Sequence, residues 1–498
     1  MPSRPLTRAA IALVAAAALA GAAIPEAAAE PRVFDTFYDY DGPTPLSSYA
    51  PGDVLKTRTA PYHVLNIATP LQAVQLLYRS TDALGRPSAN VTSILRPPNA
   101  QPGKVLSYQS AYDSLNPDDS PSRAIAGNTP IGQWTPSGRN FNIGGTAASG
   151  EAAAFGPMLA LGYTVVIADT QGPDADFAAG PEYGMLTLDS LRASRQAPKT
   201  GITSADQIAL MGYSGGAIAT NWAAILAPSY APDVNDDLIG AAQGGLLVNP
   251  ANNLRYASGS TLWGGVVAMA VVGIARSYDI DFDRYLSDVG RELLPRIEDA
   301  SIVNVLAQYP GMTWQQLVKP EYADPNSVPE YVDAVNKINM GTAPTPTIAI
   351  FIAQAANGIL EGTQPGGPGI GAGDGVMITG DVAALAGRYC DAGLPIQYDQ
   401  YDTLSHFPGA ALWLPGALQW LTDRFNGTPA PTNCGKIAPG NSLAPQQHTT
   451  PTNQRPLPPH HRTPNRHTGN ETDPPGTATC SDCGWEPAVR APNFGCPC

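Results

Sequence analysis

Short apolar runs bounded by glycine, proline and aspartate mark strands from residue 74 onward. Val74–Arg79 and Val91–Leu95 are β-rich and flank a turn at Asp82–Pro87, which predicts a hairpin. Val105–Gln109 is a third run. Tyr163–Ala168 (YTVVIA) is apolar without a break, as a strand buried on both faces of a parallel sheet must be. Ile208–Met211, Leu238–Val248, Thr347–Ala353 and Pro395–Tyr401 predict further strands. Helical spacing appears between them at Ala148–Leu161, Tyr183–Gln196 and Ala217–Leu226. It returns at Val382–Cys390, with Asp381 as its cap, and in a closing helix, Leu412–Arg424. Strands alternating with helices predict an α/β fold with a mainly parallel sheet.

Four stretches depart from this alternation. Asn249–Thr342 holds helical patterns only: Leu262–Ser277, Phe282–Leu294, Ile302–Gln308, Trp314–Lys319 and Val328–Ile338. Trp263, Met269, Met312 and Trp314 supply its apolar faces. An insertion there, between two strands of such a sheet, predicts a cap over an apolar pocket at the C-terminal strand edge. Residues 30–70 are rich in proline, aspartate and tyrosine and read as an extended arm. Residues 115–147 form a polar loop of a length that is usually functional or disordered. Residues 441–498 hold eleven prolines, and their only large aliphatic or phenylalanine side chains are Leu443, Leu457, Val489 and Phe494. They cannot bury a core and read as a disordered tail.

Composition sharpens this picture. A chain of 498 residues fits one large domain with insertions, or two domains. Glycine and proline, at 50 each, predict long loops. A formal charge of −14 argues against nucleic acid and anionic membrane as partners. Arg4 and Arg8, the alanine-rich run Ala9–Ala23 and the A-x-A site Ala27–Ala29 predict a secretory signal peptide over residues 1–29. That run is short for a membrane span, and no later segment reaches 18 apolar residues, so a soluble secreted protein is expected. Export permits disulfides. Of six cysteines, only Cys390 and Cys434 lie in the globular region, and they read as one bridge. Cys480, Cys483, Cys496 and Cys498 end the chain with spacing near a zinc ribbon. The final C-x-C and the oxidising compartment favour an unstructured or disulfide-linked tail, so no metal site is expected.

The chemistry centres on Gln207–Thr220, QIALMGYSGGAIAT. An apolar strand meets Gly212-Tyr213-Ser214-Gly215-Gly216, and a small-residue helix follows: G-x-S-x-G in a strand–turn–helix setting. The sharp turn lifts the Ser214 hydroxyl, and the helix aims free N–H groups where an oxyanion would form. Ser214 is therefore the candidate nucleophile. Its base should follow it in the chain, and His406 is the one histidine between Ser214 and the tail; His63 lies in the arm. For the orienting acid, Glu361, Asp374, Asp381, Asp391, Asp399 and Asp402 all follow the Thr347–Ala353 strand. Asp374 lies in the strand–helix loop where such an acid projects, which favours it and leaves the others open.

Several segments together carry a family resemblance: YRSTDALGRPSANVTSILRP (78–97), VLSYQSAYDS (105–114), LGYTVVIADTQGP (161–173), YGMLTLDSLRA (183–193), GYSGGA (212–217) and GDGVMITGDVAALAGRYCDAGLPIQYDQYDTLSHF (373–407). Over about residues 33–440 the chain resembles the secretory lipases, α/β-hydrolases of actinobacteria and fungi. The resemblance implies an α/β-hydrolase catalytic domain over residues 30–440, with the cap at residues 249–342. It places the catalytic aspartate before a helix ending in cysteine, then a glycine, a strand and the histidine. Asp374, Cys390, Gly393 and His406 fill that order. It also implies an oxyanion-hole aspartate at Asp113, with the Gly215 N–H as second contributor. One departure is the Gly/Pro-rich stretch 362–373 before the acid, which keeps Glu361 and Asp381 as alternatives.

The expected activity is that of a secreted serine carboxylic-ester hydrolase, a lipase acting on acylglycerols through a Ser214–His406–Asp374 triad and an acyl-enzyme. No metal or organic cofactor and no obligate protein partner is implied, while transient contact with a lipid interface is. The alternatives are an esterase for small soluble or aromatic esters, a serine peptidase, and an inactive secreted binding protein.

Overall fold

The computed structural model describes residues 35–451. Residues 1–29 and the four terminal cysteines, on which the export and tail expectations rest, lie outside the described residues. The strands in chain order are β1 (Val54–Val64), β2 (Ile67–Thr81), β3 (Pro87–Leu95), β4 (Lys104–Gln109), β5 (Gln133–Trp134), β6 (Phe141–Asn142), β7 (Thr164–Ala168), β8 (Gln207–Tyr213), β9 (Leu238–Gly244), β10 (Ile350–Ala355) and β11 (Ile396–Tyr401). Nine of them make one sheet in the order β1-β2-β3-β7-β4-β8-β9-β10-β11, and β5 and β6 pair separately. From β7 to β11 every pairing is parallel. Strands β1 to β3 pair antiparallel, and β3 joins β7 antiparallel.

Helices cover both faces of this sheet, and the strand patterns follow from that. All five residues of β7 and all six of β10 are buried. On one face Tyr78, Tyr183 and Tyr389 share a buried cluster with Trp222 of the helix Gly215–Tyr230. On the other, Phe155, Trp413 and Trp420 pack with Tyr108 and Phe351. The cap, inserted between β9 and β10, has its own apolar cluster around Trp263, Met269, Leu293 and Trp314. Its longer helices are Pro250–Ala257, Gly264–Ser277, Asp288–Ile297 and Pro329–Lys337.

Several local expectations need correction. The arm is not irregular throughout: its residues 54–64 and 67–70 belong to a hairpin made by β1 and the start of β2. Leu65 and Asn66 take φ of 50° and 60°, the left-handed pair of a tight primed turn. Pro61 is tolerated because β1 is the edge strand and its register shifts beside that residue. The closing helix starts at His406 rather than at Leu412, so the histidine opens it. Asp381 is not a cap: it is the third residue of the helix Thr379–Asp391 and accepts hydrogen bonds from Asn252 (3.0 Å) and Asn441 (2.8 Å). Cys390 and Cys434 are bonded, with Cα atoms 5.5 Å apart.

Asn441–Thr449, grouped by composition with the tail, form an extended strap. The Asn441 N–H donates to the Gly380 carbonyl at 3.0 Å, and Thr449 N–H to that of Asn326 at 2.9 Å. Gln446 exchanges hydrogen bonds with Asn336 at 2.7 and 3.0 Å. Among the described residues no helix is long and apolar enough to cross a membrane.

Candidate active site

Ser214 stands between β8 and the helix Gly215–Tyr230 at φ 56°, ψ −122°. This backbone is costly for a residue with a side chain and is held by its surroundings. The Ser214 N–H donates to the Gly244 carbonyl of β9 at 2.9 Å. The flanking glycines are sterically required. A methyl group on Gly212 would strike the Gly216 carbonyl, and one on Gly216 would strike that of Gln109. Gly215 opens the helix, so its N–H is among those without an intrahelical acceptor.

The structure brings Ser214, His406 and Asp374 together. His406 Nε2 lies 2.8 Å from Ser214 Oγ, and Nδ1 lies 2.7 Å from Asp374 Oδ2. Asp374 is fully buried and keeps its orientation through four contacts besides the imidazole. Its Oδ1 accepts the N–H groups of Val376 (3.0 Å) and Met377 (2.7 Å), and its Oδ2 accepts Gln354 Nε2 at 3.0 Å. Its carbonyl accepts the His406 N–H at 2.8 Å, tying acid loop to histidine. The Tyr213 hydroxyl donates to the His406 carbonyl at 2.8 Å. Burial alone would lower the His406 pKa. The Asp374 carboxylate outweighs this, with help from Glu361 and Asp113, and holds it above the ordinary value.

The other acids lie elsewhere. Asp381 faces Asn252 and Asn441, Asp399 accepts from Gln397, and Asp402 from Gln400. Asp391 ends its helix. Glu361 is close to the histidine loop but bonds the Phe407 N–H (3.0 Å) and Trp263 Nε1 (2.9 Å), not the imidazole.

Asp113 follows β4 at φ 35°, and its carboxyl packs on Gly215, beside the serine. Burial pushes its pKa up to about 7, against the opposing pull of His406 and a backbone N–H. Two glutamines unremarked in the sequence support this arrangement. Gln171 receives the Ser114 N–H at 3.1 Å and donates to Asp113 Oδ1 at 3.3 Å. Gln354 holds Asp374. Gln354 is a lone polar residue in an otherwise apolar strand, a signal that could have drawn attention to it, whereas Gln171 stands in a polar run after β7 and carries no such signal.

Asp113, Ser214 and Gly215 form one end of a cavity of about 930 Å³, counting its mouth. The rest of its wall is mainly cap: Trp263, Val266, Val267, Val271, Ile274 and Phe282. Asp113 is the sole carboxylate in the lining. Trp263 belongs to this wall, whereas Met269 is fully buried in the cap's own core. Among the described residues no cluster of histidine, cysteine and carboxylates is arranged to hold a metal ion.

A mostly parallel sheet with a serine on a strained strand–helix turn at its C-terminal edge defines an α/β-hydrolase. The secretory lipase family model matches residues 140–433, and the chain belongs to that family. Lipase 1 of Candida albicans is 31% identical, over 80% of this chain and 82% of its own. A Mycobacterium tuberculosis protein named a probable inactive lipase is 30% identical, over 78% of this chain and 82% of its own. Among solved structures, Candida antarctica lipase A in its closed state gives a TM-score of 0.67 at 25% identity, covering 84% of this chain and 93% of that one. A rice cell wall degrading esterase from Xanthomonas oryzae, 14% identical with a TM-score of 0.54, shares the fold.

Proposed function

We propose that the protein is a secreted serine ester hydrolase acting on acylglycerols with long acyl chains. The carrying observation is that Ser214 lines a cavity whose wall is predominantly apolar. Such a wall suits a hydrocarbon chain, since each buried CH₂ contributes about 0.8 kcal/mol. A peptide substrate would leave its backbone groups without partners there.

In this reading Ser214 Oγ attacks the ester carbonyl while His406 Nε2 accepts its proton. Asp374 keeps Nδ1 protonated and stabilises the imidazolium. The oxyanion meets the Gly215 N–H and Asp113. With a pKa near 7, the Asp113 carboxyl is protonated on the acid side of neutrality and can then donate to the oxyanion. His406 returns its proton to the departing alcohol, and water releases the acyl group by the same steps in reverse.

The test is hydrolysis of emulsified long-chain triacylglycerol against a soluble short-chain ester. Preference for the former supports a lipase; preference for the latter reduces the protein to an esterase. Labelling of Ser214 by a fluorophosphonate distinguishes either from an inactive relative, because only an activated serine reacts. Export is tested by the N-terminus of the protein recovered from culture medium, expected near residue 30.

A further inference from the structure

Glu361 has a position that the triad does not explain. It ends a short turn, Gly358–Glu361, just before the Gly/Pro-rich stretch that separates the acid from its strand. Three parts of the molecule converge on its carboxylate. Oε1 accepts the N–H of Phe407, the residue after His406, and Oε2 accepts the indole N–H of Trp263 from the cap. Gly375, the residue after Asp374, packs so closely that a methyl on it would lie 2.7 Å from Oε2 and 2.8 Å from Trp263 Nε1. The Trp263 ring held in this way stands edge-on to His406, with centroids 5.2 Å apart, and stacks on Phe407 at 5.4 Å.

We propose that Glu361 is a positioning residue for the catalytic base: it fixes Trp263 against the imidazole and gives that imidazole a second negative neighbour. The proposal rests on His406 acting as the base. The groups facing His406 are Ser214 on Nε2, Asp374 on Nδ1, the Tyr213 ring at 5.2 Å, Trp263, and the carboxyls of Asp113 and Glu361 acting through space. Asp374 orients the ring and is the stronger charge. Glu361 bonds the backbone and the indole, so it controls what the ring rests against. Because Trp263 also lines the cavity, Glu361 joins the acyl wall to the base.

The role makes a prediction that packing alone does not. A carboxylate near an imidazole favours its protonated form, and the base works only when neutral. Removing the charge therefore moves the rising, acid-side limb of kcat/KM to lower pH. The experiment records this limb on a soluble short-chain ester for the wild type, Glu361→Gln, Glu361→Asp and Trp263→Phe. Glu361→Gln is expected to shift the limb down by about half a unit and to lower plateau kcat about tenfold. Glu361→Asp keeps the charge but reaches poorly, so kcat falls while the limb stays. Trp263→Phe keeps a ring without its N–H and also leaves the limb in place. A Glu361→Gln limb that superimposes on the wild type, or moves to higher pH, overturns the proposal. If Glu361→Gln does not fold, a limb that moves down in Glu361→Asp overturns it equally. A wild type whose hydrolysis survives His406→Ala defeats the base assignment instead, and so separates the two failures.

Discussion

At the scale of single residues, Ser214 and His406 act in the proposed mechanism as one unit. The hydroxyl is a weak nucleophile without the imidazole, and the imidazole has nothing to deprotonate without the hydroxyl. Ser214→Ala and His406→Ala should each lower kcat by about three orders of magnitude or more, and the double variant should be little worse than either. Initial rates on a short-chain ester check this; additive losses would reject the pairing. Buried carboxyls set a second expectation, for stability. Burial raises Asp113 and Asp119 to about 7 and Glu151 to about 8. In the unfolded chain these groups titrate near 4. Between those values the folded state binds more protons than the unfolded one, so stability falls as pH rises. The opposite shifts, at Asp35 and Asp233, act only below the ordinary carboxylate pKa. The melting temperature should therefore decline from about pH 5 to about pH 9 in scanning calorimetry, and a rise across that range would contradict it.

At the scale of elements, the strap tests where the domain ends. Asn441 ties it to Asp381, and Gln446 and Thr449 tie it to the cap at Asn336 and Asn326. A chain ending at Gly440 should melt several degrees below one ending at Pro451, with the cap the first part to gain proteolytic sensitivity. Equal melting temperatures would show the strap to be incidental. The elbow was legible in the sequence because its constraint is local: an apolar strand, two glycines that no side chain can replace, and a small-residue helix. The Cys390–Cys434 bridge was legible because no other cysteine lay in the globular region. The β1–β2 hairpin was not, because Pro61 and the polar residues of β1 hide an alternation that an edge strand tolerates. The extension of the closing helix back to His406 was not legible because Pro408 argues against a helix there, although it falls in the first turn, where its missing N–H costs little. The contacts of Glu361, Gln171 and Gln354 join parts of the chain tens of residues apart or more, and no local pattern records them.

At the scale of the whole molecule, the proposed function divides labour between sheet and cap, and specificity would follow from that division. The sheet edge carries Ser214, His406, Asp374 and Asp113, while the cap supplies most of the apolar wall. Contacts along an acyl chain are the same in the bound ester and in the transition state, so they act on KM and on the choice between esters. Contacts at the carbonyl strengthen only in the transition state and act on kcat. A substitution that fills the cavity away from the serine should therefore discriminate by chain length. Ala270 lines the wall on the helix Gly264–Ser277, whereas its neighbour Met269 faces the cap core. Ala270→Phe should lower kcat/KM on a long-chain ester by about tenfold or more, through the few CH₂ groups it displaces, while a short-chain ester loses little. Met269→Leu, a volume-conserving core change, should leave the ratio of the two esters alone. Measuring kcat/KM for both variants across a series of chain lengths decides the point. An Ala270→Phe variant that loses long and short esters in equal proportion would mean that the chain lies elsewhere, and that the cap encloses the site without binding the substrate.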